Sequence, residues 1–158
     1  MSSSDIAAFA RKLEKLAGGE LKRELAQSLE RAGLEFLDLV QKEIVRSGTI
    51  NTKTLLQSFE KGNADNVWQL THGGMTLEVG TNVEYASLAN DGHWQERRFV
   101  PGEFRGGRFI YSPNASTGML LKAKWVKGTN YWDAAIAVMD RQFEQMLDRL
   151  LQRYLDQL

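Results

Sequence analysis

Apolar residues recur every three or four positions along two long segments, and nothing else in the chain restricts its fold as tightly. In the first, Leu21, Leu25, Leu29, Ala32, Phe36, Leu39, Val40 and Ile44 share one stripe, charges fill the other face, and Ser47-Gly48 ends the run. In the second, Trp132, Ile136, Met139, Phe143, Met146, Leu147, Leu150, Tyr154 and Leu158 keep the same period to the last residue. A 3.6-residue period predicts amphipathic helices. Asn130, with Asp133 three places on, reads as the start of the second helix in a variant of the capping box. At 1.5 Å per residue that helix would be roughly 40 Å long. A small sheet cannot cover it, so the surplus at Leu151, Tyr154 and Leu155 is expected to meet another subunit.

Shorter signals lie around these two. Ile6, Phe9, Ala10, Leu13 and Leu16 predict an N-terminal helix that Gly18-Gly19 breaks. A short helix is expected over 52–61, with Asn51 or Thr52 as its N-cap and Gly62 as its stop. Residues 66–71 and 75–79 alternate and flank His72-Gly73-Gly74, which predicts a hairpin. Two further strands are expected at 108–112 and 119–125. Residues 93–108 lose all periodicity and read as a long loop excursion, poorly ordered or extended in an isolated subunit. The expected fold is therefore α+β: N-terminal helices, a small mostly antiparallel sheet and a long C-terminal helix packed on one sheet face. A chain of 158 residues suits a single domain.

Between the helices one stretch stands out: Val79-Gly80-Thr81-Asn82-Val83-Glu84-Tyr85-Ala86-Ser87-Leu88-Ala89-Asn90-Asp91-Gly92-His93. A strand ending at Gly80, a corner, a short helix from Tyr85 and a stop at Gly92 are expected there. The stretch carries no convincing reaction centre. Ser87, His93 and Asp91 are the residue types of a hydrolytic triad, but no strained nucleophile elbow surrounds them. His72 and His93 are the only histidines, and Asp91 is the only nearby carboxylate, too few for a metal site. Glu78 and Glu84 are candidates for paired carboxylates, but Glu78 sits on the polar alternation of its strand, where its simplest role is solvent exposure. Residues 102–107 lack both the spacing and the following helix of a phosphate-binding loop. Cysteine is absent, which excludes disulfides and thiolate sites. No enzyme activity, cofactor or metal is expected.

Charge narrows the partners. Twenty Lys and Arg balance twenty Asp and Glu, so the global balance argues against nucleic acid or an anionic membrane as partner. No run approaches 18 apolar residues, and no secretory signal is visible at the N-terminus. The local exception is Arg97, Arg98, Arg105 and Arg108, interleaved with Trp94, Phe99 and Phe104. Arginine with aromatics is the composition of a protein interface. The alternative is a nucleic-acid-binding module that uses the same arginine–aromatic loop.

Three motifs, in order, resemble a known family. Val79-Gly80-Thr81 leading to Tyr85-Ala86 and on to Gly92 is similar to the central block of the tailed-phage tail-completion (head–tail joining) proteins. Thr52-Lys53-Thr54-Leu55-Leu56-Gln57-Ser58 sits where that family has a T-G-x-L-x-x-S segment, here without the glycine. Trp125-Val126-Lys127-Gly128-Thr129-Asn130-Tyr131-Trp132 sits where it has a glycine–aromatic entry into the last helix. The resemblance implies a structural virion protein acting as a ring subunit, commonly in a hexamer. It also implies contacts to head connector proteins on one side and to the tail tube or tail terminator protein on the other. The implied location is the tail–head interface of the virion, with the host cytoplasm during assembly.

Overall fold

The computed structural model describes residues 3–49 and 53–157. They fall into two compact units. One comprises Met1–Ala86 with Tyr131–Leu158, and the other, Ser87–Asn130, is inserted between those segments in sequence.

The first unit is built on the two predicted stripes. Helix α1 (Ser3–Lys15) is followed by a π-helical turn (Leu16–Glu20) and helix α2 (Leu21–Arg46). The predicted break at Gly18-Gly19 is present as a kink, with Gly19 at φ 99°. Beyond α2 the amides of Gly48 and Thr49 donate to the carbonyls of Val45 and Ile44, the paired closure of a Schellman motif. Helix α3 (Lys53–Gln57) is shorter than expected, and turns carry the chain on to Gly62. Its proposed caps, Asn51 and Thr52, lie outside the described residues. Strands β1 (Asn66–Thr71) and β2 (Thr76–Thr81) form the predicted hairpin, with Thr71 opposite Thr76.

Helix α5 (Tyr131–Leu155) packs chiefly along α2. Phe36 and Trp132 meet edge to face across that contact, ring centres 4.9 Å apart. Leu37, Val40 and Ile44 of α2, with Leu55 and Phe59, form the buried centre, each large side chain contributing about 1.5–3 kcal/mol. Gly33 is why α2 lies so close to the hairpin. A Cβ there would overlap Leu77 and stand 2.8 Å from Trp68 Cη2.

Two expectations about this unit are corrected. Gly80 is no corner: it lies inside β2 opposite Val67, because β2 continues to Thr81 before the chain turns. The end of α5 is not wholly surplus either. Leu150 and Tyr154 are 3% and 7% exposed, and only Leu151 and Leu155 remain on the surface. Helix α5 packs along α2, so α2 covers part of the stripe that a sheet alone would leave bare.

The second unit consists almost entirely of short strands. Helix α4 (Ala86–Asp91) leads into β3 (Gly92–Gln95), β4 (Arg98–Arg105), β5 (Arg108–Tyr111), β6 (Gly118–Leu121) and β7 (Lys124–Lys127). Strand β3 pairs with β7, and β4 lies between β5 and β6; every pairing is antiparallel. Residues 93–108 are thus mostly strand, which corrects the loop reading. The period-2 signal of a strand arises when one face is buried. No hydrophobic residue of 87–130 is buried, so the alternation that would have shown these strands has no cause. The expected strand at 119–125 is split between β6 and β7, which join different partners.

The protein is α+β, with helices, small antiparallel ladders and a long C-terminal helix. Among the described residues the strands form three separate sheets where one was expected.

Candidate interaction surface

The three motif segments meet inside the first unit. Thr81 donates its hydroxyl to Ser58 Oγ at 2.7 Å, and Ser58 donates to the Leu55 carbonyl at 2.8 Å. Asn66 Nδ2 donates to the Ser58 carbonyl at 2.9 Å, and the Val83 amide donates to Thr81 Oγ1. The Tyr131 hydroxyl donates to the Ala86 carbonyl at 3.0 Å, and Phe59 packs against the rings of Tyr131 and Trp132. Ser58 is fully buried. This constellation fixes the exit of β2, and it holds no nucleophile beside a base. Sequence reading quoted Ser58, Thr81 and Tyr131 as motif members but could not see that they share one knot.

Removing the Ser58 hydroxyl leaves Thr81 without its acceptor, so Ser58→Ala should cost about 1–3 kcal/mol, the penalty for an orphaned buried donor. Chemical denaturation checks it; an unchanged midpoint would mean that the knot does not hold the exit of β2.

The residues considered for chemistry do not assemble. Asp91 Oδ1 accepts from Asn90 Nδ2, and no hydrogen bond joins Asp91 to His93 or Ser87 among the described residues. His93 Nδ1 is buried with no partner. His72 sits exposed in the hairpin turn, where its Nδ1 meets the Thr71 hydroxyl at 3.1 Å. Among the described residues, no group of three or more His, Asp or Glu is placed to hold a metal ion. Glu78 is exposed, as expected, and so is Glu84.

The aromatic residues, by contrast, line up in pairs on the second unit. Trp94 stands directly opposite Trp125, Phe99 opposite Leu120, and Phe104 opposite Phe109. Phe104 and Phe109 meet edge to face at 5.2 Å. Cross-strand pairs of this kind stabilise a ladder, yet Trp94, Phe99, Phe104 and Trp125 are each 57–63% exposed. Trp125, Ile110, Tyr111 and Leu120 are exposed on this unit too. They were missed because only the segment before 108 combined arginine with aromatics.

The arginines crowd the same unit. Arg97, Arg98, Arg105 and Arg108 are exposed, and Arg105 stands directly opposite Arg108 beside the Gly106-Gly107 turn. Like charges in register repel. Glu103 pairs with Arg105 and offsets part of that. Of the turn residues, Gly92 has φ 88° as expected, and Tyr85 lies half-exposed just before α4.

Tyr154 is set apart from this surface. Burial first, then a hydrogen bond to Glu24, raises its phenol above the ordinary value of 10. Any stability it lends is complete below the ordinary phenol pKa and is lost as pH rises through the raised one.

No described helix is long and apolar enough to cross a membrane. No solved structure matches the chain. Two proteins of Bacillus subtilis (strain 168) do. The phage-like element PBSX protein XkdI is 49% identical over 149 residues, 92% of either chain. The protein YqbI is 46% identical over 155 residues, 93% of either chain. Residues 7–92, which include α2, the β1–β2 hairpin and the Ser58–Thr81 knot, match the family described as bacteriophage HK97-gp10, putative tail-component. With more than half its length matched, and relatives of this identity spanning nearly all of it, the chain belongs to the HK97-gp10-like family of phage tail components.

Proposed function

We propose that the protein is a structural subunit of a phage or prophage-derived particle that completes the tail end and joins it to the head connector as part of a ring. Family membership supports the coarser reading, a structural tail component. One observation carries the finer one: residues 87–130 bury no hydrophobic residue and expose eight large ones. A free domain gains nothing from such a surface, whereas an assembly subunit covers it in the finished particle. The partners proposed are further copies of the chain, commonly six, then a head connector protein and the tail tube or terminator. The work is assembly, with no bond made or broken. The protein would act in the host cytoplasm and remain in the virion at the tail–head interface.

The test is a nonsense mutation in this gene in a particle-producing host, read by electron microscopy of the lysate. Full heads and separate tails are expected, with joining restored by the gene in trans. Intact, joined particles without the protein would overturn the proposal.

A further inference from the structure

We infer that the β4–β5 hairpin of one copy seats in a groove between α2, β2 and α5 of a second copy, so that subunits join head to tail. The inference rests on the ring reading above and names the two surfaces that would build the ring.

The groove is the uncovered middle of the α5 stripe. It measures about 380 Å³ and is lined by Leu29 and Phe36 of α2, Leu77 of β2, and Ile136, Met139 and Asp140 of α5, among others. Ile136 is 37% exposed at it, so the chain's own side chains leave it open. The long helix thus leaves apolar surface open at residues 132–143 as well as at Leu151 and Leu155.

The hairpin supplies a matching occupant. Within the Phe104–Phe109 pair, Phe109 is half-buried and Phe104 is left 63% exposed. Arg105 and Arg108 follow that pair at the hairpin tip, on the opposite face of the ladder and in direct opposition, an arrangement that costs stability until an anionic surface meets it. The acceptor provides one. Asp133, Asp140 and Glu144 are exposed and recur at spacings of seven and four, which places them on one stripe of α5 along the groove.

Charge over the whole molecule points the same way. Residues 87–130 hold seven Lys and Arg against three Asp and Glu, a net +4. The remainder holds thirteen against seventeen, a net −4. The overall neutrality conceals two opposite poles, and such poles attract between copies. Donor and acceptor are different surfaces, and every copy carries one of each. Used head to tail, such contacts close into rings or extend as filaments. A reciprocal two-fold dimer would use both surfaces as well, and an unmodified chain that stops at the dimer would overturn the head-to-tail arrangement.

The experiment uses the full chain, one variant that disables the hairpin and two that disable the groove. Phe104→Ser with Arg108→Glu blunts the hairpin, and both side chains are exposed. Ile136→Arg fills the groove; Asp140→Arg, a surface change only, guards against a folding fault, with circular dichroism as control. Analytical ultracentrifugation across concentration should show the unmodified chain forming oligomers. Each variant alone should associate more than roughly tenfold more weakly, since each loses at least one large buried contact. An equimolar mixture of the hairpin and groove variants should stop at a dimer, because only one intact hairpin and one intact groove can meet. A strictly monomeric unmodified chain, variants that associate normally, or a mixture that stays monomeric would each overturn the inference. So would steep salt-dependent binding of a DNA duplex or single strand that Arg108→Glu abolishes, which would assign the hairpin to nucleic acid. Variants that restore head–tail joining in the nonsense strain would sink this inference and leave the tail reading intact. Joined particles without the protein would sink the tail reading itself.

Discussion

Cutting the chain after Arg149 is expected to destabilise the helical unit by about 3–6 kcal/mol, since two buried large side chains contribute about 1.5–3 kcal/mol each. Those side chains are Leu150 and Tyr154, which are 3% and 7% exposed. A stability of 5–15 kcal/mol is ordinary for a domain, so the loss is a large share of the whole. The Arg153–Glu24 ion pair at 3.7 Å goes as well, but it is largely exposed and counts for little. Thermal melting followed by circular dichroism at neutral pH reads the effect. Leu151→Ser with Leu155→Ser is the control. Both leucines are exposed, so the isolated subunit should melt almost unchanged. A truncated chain as stable as the intact one would mean that the last turns of α5 are not part of this core.

Gly128→Ala should have an effect of similar size on the second unit. The chain enters that unit at Ala89–Gly92 and leaves it at Gly128–Asn130, and the two passages are clamped together. The amides of Thr129 and Asn130 donate to the carbonyls of Ala89 and Asn90, both at 3.0 Å. A Cβ on Gly128 would overlap the Asn90 carbonyl oxygen and the Gly92 amide nitrogen. Both are main-chain atoms that cannot rotate aside, so the cost is expected at or above the upper end of overpacking, about 3 kcal/mol. On the other strand a Cβ on Gly92 would stand 2.6 Å from the Val126 carbonyl oxygen, and its φ of 88° already disfavours a side chain. Amide exchange across 87–130 should accelerate in Gly128→Ala while α2 and α5 keep their protection. Unchanged exchange would show that the neck tolerates a methyl group and that the clamp is misread.

What could be read from the sequence follows from which surfaces are buried. Helices α2 and α5 were legible because each buries one face, and burial on one face writes a 3.6-residue period. The β1–β2 hairpin was legible from His72-Gly73-Gly74 between alternating runs. Strand β5 was expected at 108–112, but β3 and β4 were not legible, because with no hydrophobic residue of 87–130 buried nothing separates an inner face from an outer one. Gly80 was misplaced because a glycine inside a strand looks the same in sequence as one at a corner. The arginine–aromatic composition picked out Trp94, Phe99 and Phe104, three of the eight large hydrophobic residues that 87–130 exposes. It could not reach Trp125 or Leu120, whose membership depends on strand pairings with Trp94 and Phe99. The groove along α5 left no mark in the sequence beyond the surplus length of a stripe.

Hydroxyl-radical footprinting of the isolated chain and of purified particles addresses the central claim, that the exposed face of 87–130 exists to be covered in the assembly. Trp94, Phe99, Phe104 and Trp125 should label strongly in the free protein, since each is 57–63% exposed. In the particle their labelling should fall severalfold, together with that of Ile136 and Met139 in the groove. The exposed Val45, on neither surface, should label equally in both. Equal labelling of the four aromatic residues in the free chain and the particle would contradict the account.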